Sequence, residues 1–315
     1  MRRRKVRSCR SCRRTSLRAL AAPSSLKGVL TAREAAAALA EGFRRAGAEC
    51  DELPIADGGE GTLDALGGTR NAAQVHDAFG RAHIAEWALL GDGTAVVEAA
   101  QAIPLDPSRL DVRAASSRGL GELIAAVGEP RALLVGLGGT ANMDVGAGLF
   151  DVLNELPAPT RVACDVRTTL ADAPRLFAPQ KGASDDDVRE LERRFSNHPF
   201  ADVPGSGAAG GLGAALASLG AELVPGAELI LEVTGFDPTS YDLVVTGEGT
   251  VDDTTWEGKG PAVVGRACRE AGVRCVLFGG RVRAGEAIPL SGDPARAYDD
   301  LITLGERLGA GDLAT

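Results

Sequence analysis

The stretch Arg131-Ala-Leu-Leu-Val-Gly-Leu-Gly-Gly-Thr140 decides the fold class. A short, unbroken apolar run of this length reads as a buried strand over residues 131–137. It runs straight into Gly138-Gly139-Thr140, and a helix is expected near residues 146–153. Backbone N–H groups in such a loop can face a phosphate at a helix start; a plain turn is the competing reading.

The same order of strand, glycine loop and helix recurs on both sides. Upstream, residues 18–22 read as a strand. Thr31 caps a helix through residue 46, with Glu34 completing a capping box and Gly47 ending it. Residues 49–55 form a second strand, followed by the tight loop Asp57-Gly-Gly-Glu-Gly61 and a short helix that Thr62 can cap. From about residue 71 the pattern changes to short strands at 76–77, 84–90 and 95–98 joined by glycine turns, either a meander or the start of a second domain. Residues 119–127 are helical, and a strand at 161–164 ends at Asp165. Downstream, Ser184 and three aspartates open a helix to about residue 195. The glycine-rich stretch 205–213 feeds a helix to residue 219. Residues 242–246 form a strand that meets Gly247-Glu248-Gly249, then comes a helix at 261–271, then a strand at 274–278 that stops at Gly279-Gly280. The recurrence argues an α/β fold with a mostly parallel sheet and ligand loops at its carboxyl edge.

Composition narrows the function. The 315 residues are 44% hydrophobic but only 4% aromatic, so small side chains dominate the packing. Nine basic and no acidic side chains fall within residues 1–18, leaving 25 basic against 43 acidic over the rest. A body that acidic is a poor nucleic-acid binder. An anionic substrate must therefore be held by local positive groups. Cys9, Cys12, Cys50, Cys164, Cys268 and Cys275 show no disulfide spacing, and three histidines do not make a His-rich metal site. No apolar run reaches membrane-spanning length. The N-terminal arm is too broken by Arg18 to be a signal peptide. A cytoplasmic enzyme with a disordered basic arm is expected.

Gly205-Ser-Gly-Ala-Ala-Gly210 spells a dinucleotide fingerprint, but no convincing strand precedes it and no acid-ended strand follows at the right distance. It is all that speaks for a Rossmann-type oxidoreductase. No Walker A, no nucleophile elbow and no zinc-protease motif is present. Only four lysines stand against thirty arginines. Three of them, Lys27, Lys181 and Lys259, are each followed by glycine. That pairing suits anions, because glycine admits the backbone closely and lysine acts as a point charge; compositional bias with chance placement is the bland alternative. Asp57, Glu60, Asp144, Asp165, Glu248 and Asp252 sit in or beside the same loops. Carboxylates, lysines and glycine loops together are what phosphoryl transfer needs.

At this point the motifs are similar to those of the bacterial glycerate kinases that begin Ala-Pro-Asp-Ser-Phe-Lys-Gly. Ala22-Pro-Ser-Ser-Leu-Lys-Gly28 resembles that opening, and Ala56-Asp-Gly-Gly-Glu-Gly-Thr62 matches the family in full. Gly136 to Gly148, Cys164-Asp-Val166, Phe177-Ala-Pro-Gln-Lys-Gly-Ala183, Gly207-Ala-Ala-Gly-Gly211, Thr246-Gly-Glu-Gly249, Asp252 and Gly258-Lys259 continue it in order. The chain departs from the pattern at Ser24, Leu26, Asn142-Met143, Val145, Thr250 and Thr254, and in a short stretch between residues 149 and 161.

The resemblance implies ATP-dependent phosphorylation of D-glycerate with Mg²⁺, and 2-phosphoglycerate as the product. It also implies two α/β domains with the site in the cleft between them. One is Rossmann-like, from residues 18–70 plus 230–315; the other spans 71–229, and a basic arm, 1–17, precedes both. Asp57, Lys27, Asp165 and Lys181 are then the catalytic candidates. Glu60, Gly138, Gly139, Thr140, Asp144, Glu248 and Lys259 are the substrate- or phosphate-binding candidates, and Asp252 the Mg²⁺ ligand. No nucleic-acid or membrane partner is implied, and a homodimer is compatible. A degenerate member of the family that binds ligand without turnover is the rival reading.

Overall fold

The computed structural model describes residues 17–165 and 167–312. All of the expected basic arm except Leu17, including Lys5, Cys9 and Cys12, lies outside the described residues, as does Val166. In chain order the strands are β1 (Arg18–Ala21), β2 (Glu49–Glu52), β3 (Thr69–His76), β4 (Ala82–Leu89), β5 (Thr94–Glu98), β6 (Ala132–Gly136), β7 (Thr160–Cys164), β8 (Glu222–Pro225), β9 (Leu243–Val251), β10 (Arg274–Val282) and β11 (Ile288–Pro289). They form two sheets. The first has the order β11-β10-β9-β1-β2 and is parallel throughout. The second has the order β3-β4-β5-β6-β7-β8, an antiparallel meander followed by parallel pairs. The chain starts the first sheet, builds the whole second sheet, and returns to the first at β9.

Local chemistry accounts for the helices that flank these sheets. Thr31 and Glu34 exchange the two hydrogen bonds of a capping box at helix Ala32–Arg45, which satisfies two of its orphan amides. Ser184 and Asp187 do the same for helix Asp185–Ser196. Helix Ala32–Arg45 packs on helix Ala297–Gly309 where glycines replace side chains. A Cβ on Gly42 would lie 2.1 Å from the Ile302 carbonyl oxygen, and one on Gly305 would lie 2.3 Å from that of Leu39. This pair covers one face of the first sheet, and helix Gly260–Ala271 covers the other. Helix Gly226–Val233 serves both sheets. Its Ala227 and Leu231 join the first core, while Leu229 and Val233 join a core beneath the second sheet.

Three sequence expectations are corrected. Gly247-Glu248-Gly249 and Gly279-Gly280 do not end their strands. β9 and β10 run on together, from Thr246 opposite Leu277 to Val251 opposite Val282. A Cβ on Gly247 would meet the Phe278 ring at 2.5 Å, so this glycine lets β9 pass a phenylalanine rather than breaking the strand. The helix expected near 146–153 shrinks to Ala147–Phe150, because the chain turns there and Val152 N–H bonds back to the Leu149 carbonyl at 3.0 Å. Thr62 is the first residue of helix Thr62–Leu66, not its cap; Gly61, at φ 91°, holds that place without a side-chain bond. The 205–210 glycines follow no strand, and Ala209, Gly210 and Gly211 adopt left-handed angles inside helix Ala208–Ser218. The strand–turn–helix setting of a dinucleotide fingerprint is therefore missing.

Candidate active site

The loop Asp57-Gly-Gly-Glu-Gly61 crosses from the first sheet to the second, and glycines fix where it lands. A Cβ on Gly58 would lie 2.6 Å from both Cβ and carbonyl oxygen of Ala163, at the end of β7. A Cβ on Gly136 would lie 2.4 Å from the Gly58 carbonyl oxygen, and one on Gly138 would lie 2.5 Å from Gly59 Cα. On the other side, a Cβ on Gly226 would lie 1.9 Å from the Asp57 carbonyl oxygen. Backbone therefore stacks on backbone, which brings Asp57, Gly138, Gly139 and Asp165 to one carboxyl edge. Asp57 is exposed there, and among the described residues its Oδ1 accepts only a long bond, 3.3 Å, from Gly59 N–H. Glu60 is also exposed. The Arg167 guanidinium and amide grip Asp165, with Nε, Nη2 and N each donating at 3.0 Å. The side-chain bonds to Arg167 hold the Asp165 carboxyl below the usual range against partial burial.

A second group of residues lines a pocket of about 380 Å³ at the carboxyl ends of β1, β9 and β10. Lys27, Glu248, Asp252 and Lys259 all face it, as do Arg281, Asp293 and Asp300. Gly249 allows this closeness: a Cβ there would lie 3.2 Å from Leu26 Cα. Lys259 Nζ stands 3.7 Å from Glu248 Oε2, and Glu248 Oε1 accepts a 2.6 Å bond from the Thr255 hydroxyl. Asp252 caps the turn Asp253–Glu257, and the bonds from Thr254 keep its carboxyl below the usual range. Lys27 is exposed and has no ion-pair partner among the described residues. No group of three or more His, Cys, Asp or Glu side chains among the described residues is arranged to hold a metal ion.

The remaining candidates form a third, interior group. Asp144 accepts five hydrogen bonds, from Ser117 N–H and hydroxyl, the Asn142 side-chain amide, and the amides of Gly146 and Gly148. Lys181 is 4% exposed and donates from Nζ to the Asn142 main-chain carbonyl at 2.8 Å. Thr140 is buried, and its hydroxyl has no partner among the described residues. Asp144 braces the loop that follows β6 from within, and Lys181 ties it from outside. Within it Val145 holds φ 55°, a left-handed angle that costs a β-branched residue about 1–3 kcal/mol. A larger cavity, about 640 Å³, lies between Met143–Asp144 and helix Asp185–Ser196. Its charged rim is self-paired, Arg113 with Asp187, Arg189 with Asp186 and Arg193 with Glu190.

Burial pulls the Lys181 ammonium down to about 8 from an ordinary 10.5, and Asp144 opposes that shift. Between those two values the unfolded chain holds more protons than the folded one, so this group makes stability rise with pH there. The melting temperature of the parent minus that of Lys181→Met is expected to increase over that window in thermal melts. A flat difference would contradict the buried ammonium.

Glu98 was missed by the sequence reading. It ends β5, pairs in register with Gly136, is 1% exposed, and accepts the Leu63 amide proton. The available signal was a carboxylate at the end of the apolar run Ala-Val-Val-Glu98.

The pattern of the glycerate kinase family matches residues 19–157 and 154–292. The glycerate 2-kinase of Escherichia coli K12 is 36% identical over 309 residues, covering 79% of this chain and 81% of that one. The glycerate kinase of Halalkalibacterium halodurans is 36% identical over 84% of this chain and 85% of its own. A solved structure from Salmonella typhimurium LT2, described as a glycerate kinase 2, superposes with a TM-score of 0.78 at 27% identity over 94% of this chain and 98% of that one.

Proposed function

The chain belongs to the glycerate kinase family, and from that premise we propose that it transfers the terminal phosphoryl group of ATP to the 2-hydroxyl of D-glycerate. The observation that carries the reading is the pocket at β1, β9 and β10. There two of the three described lysines, Lys27 and Lys259, meet Glu248 and Asp252. The pocket is the phosphate-donor site in this proposal. Mg²⁺ keeps several waters and takes one or two protein carboxylates together with phosphate oxygens. Glu248 and Asp252 fit that donor set, and no cage of three acids is required. When bound, Mg-ATP supplies the phosphorus that is attacked.

The chain's own groups do the rest. Lys27 and Lys259 neutralise charge on the transferring group. Gly138 and Gly139 leave room for the acceptor beside the crossing loop, and Glu60 flanks it. Asp57, exposed and weakly bonded, takes the hydroxyl proton. Asp165 orients the acceptor, because Arg167 fixes its carboxylate. Lys181 and Asp144 brace the loop after β6 instead of touching substrate. The domains belong to the same proposal, with residues 18–70 and 230–315 carrying the donor site and 71–229 the acceptor edge. So does a cytoplasmic location, supported by four free cysteines among the described residues and the use of ATP. No described helix is long and apolar enough to cross a membrane.

The altered loop keeps its tie to Lys181. Lys181 bonds the main-chain carbonyl of residue 142, so that contact does not depend on which side chain stands there. ADP release from Mg-ATP by the full chain, with and without D-glycerate, tests the reading. Glycerate-dependent release is expected; glycerate-independent or absent release from folded protein would refute it.

A further inference from the structure

We propose that Glu98 is a positioning residue that holds the crossing loop Asp57–Gly61 in register with the end of β6. This rests on the reading of Asp57 as the proton acceptor. Helix Thr62–Leu66 follows the loop directly and has no side-chain cap of its own, since Gly61 occupies the N-cap place. A helix start leaves amide donors unsatisfied. Glu98 supplies the acceptor from another strand, taking the Leu63 amide proton. Its own position is fixed by strand pairing, because Glu98 stands opposite Gly136, the residue that packs on Gly58. One carboxylate thus ties the far end of the loop to the β-edge on which its near end rests.

The arrangement is costly in isolation. Burial pushes the Glu98 carboxyl above its ordinary range, and Asp64 adds to that shift. A carboxylate whose folded value is raised weighs against folding at neutral pH, where it must ionise without water. Packing alone would be served better by a neutral side chain, and the acid is explained by the Leu63 amide it orders.

Glu98→Gln keeps the shape and one acceptor oxygen but replaces the other with an NH₂ group. The expected result is a melting temperature at or above the parent's, with kcat for glycerate-dependent ADP release lowered about tenfold or more and KM for ATP unchanged. Glu98→Asp, which keeps the charge but draws it back by one methylene, is expected to lose kcat as well. Hydrogen exchange at the Leu63 amide should speed up in Glu98→Gln, a readout that does not depend on turnover. An inactive parent with faster exchange in the variant would sink the kinase reading while the loop-holding role stood. Unchanged exchange, kcat within about twofold of an active parent, or a kcat loss matched by a fall in melting temperature would overturn the role of Glu98.

Discussion

Lys259→Ala is expected to lower glycerate-dependent turnover by roughly 10²–10³-fold, the usual loss when one preorganised positive or donor group leaves a phosphoryl- or acyl-transfer site. Its melting temperature should stay near the parent's. The Lys259 side chain is 36% exposed, meets the 13% exposed Glu248 only at 3.7 Å, and leaves that carboxylate its bond from Thr255; so long an ion pair contributes about 0–1 kcal/mol to stability. Lys259→Arg should not restore activity. A guanidinium is a planar fork and an ammonium a compact point charge, so the two do not present the same donors to a transferring phosphoryl group. Steady-state kinetics and a thermal melt on the same preparations decide the matter, and normal turnover in Lys259→Ala would remove this lysine from the site.

Gly58→Ala is expected to cost about 3 kcal/mol or more of stability and most of the activity. Gly58 holds φ +89°, and a side chain there would lie 2.6 Å from the Ala163 carbonyl oxygen. Left-handed geometry alone accounts for about 1–2 kcal/mol, and backbone cannot yield as a flexible side chain would. Because the loop is wedged between β6, β7 and helix Gly226–Val233, moving Gly58 moves Asp57 with it. Denaturant unfolding alongside turnover checks both halves. An alanine variant with parental stability would mean that the glycine interlock does not hold the loop.

These two residues also show what the sequence discloses and what it withholds. The α/β class was legible because it rests on local signals: the buried run at 131–137, the capping box at Thr31 and the N-cap with first-turn acids at Ser184. The crossing loop was legible as a motif, yet its wedge was not, since the residues that Gly58 and Gly138 meet are distant in sequence. Strand lengths failed at Gly247 and Gly279, where glycine signals close passage as readily as a break. The three Lys-Gly pairs look alike on paper, but the fold separates them: Lys27 and Lys259 share a pocket, and Lys181 is buried against Asn142. Burial depends on what packs around a residue, and nothing in Pro-Gln-Lys-Gly discloses that. Glu98 escaped for the same reason, because its partner at Leu63 lies 35 residues away in sequence.

The central claim is phosphoryl transfer from ATP to D-glycerate, and phosphorus NMR on the full chain with Mg-ATP and D-glycerate tests it most directly. The account predicts a new phosphomonoester signal, assigned to 2-phosphoglycerate, that grows in step with ADP and is lost in Lys259→Ala. An ATP spectrum that stays unchanged with folded parent protein would contradict it.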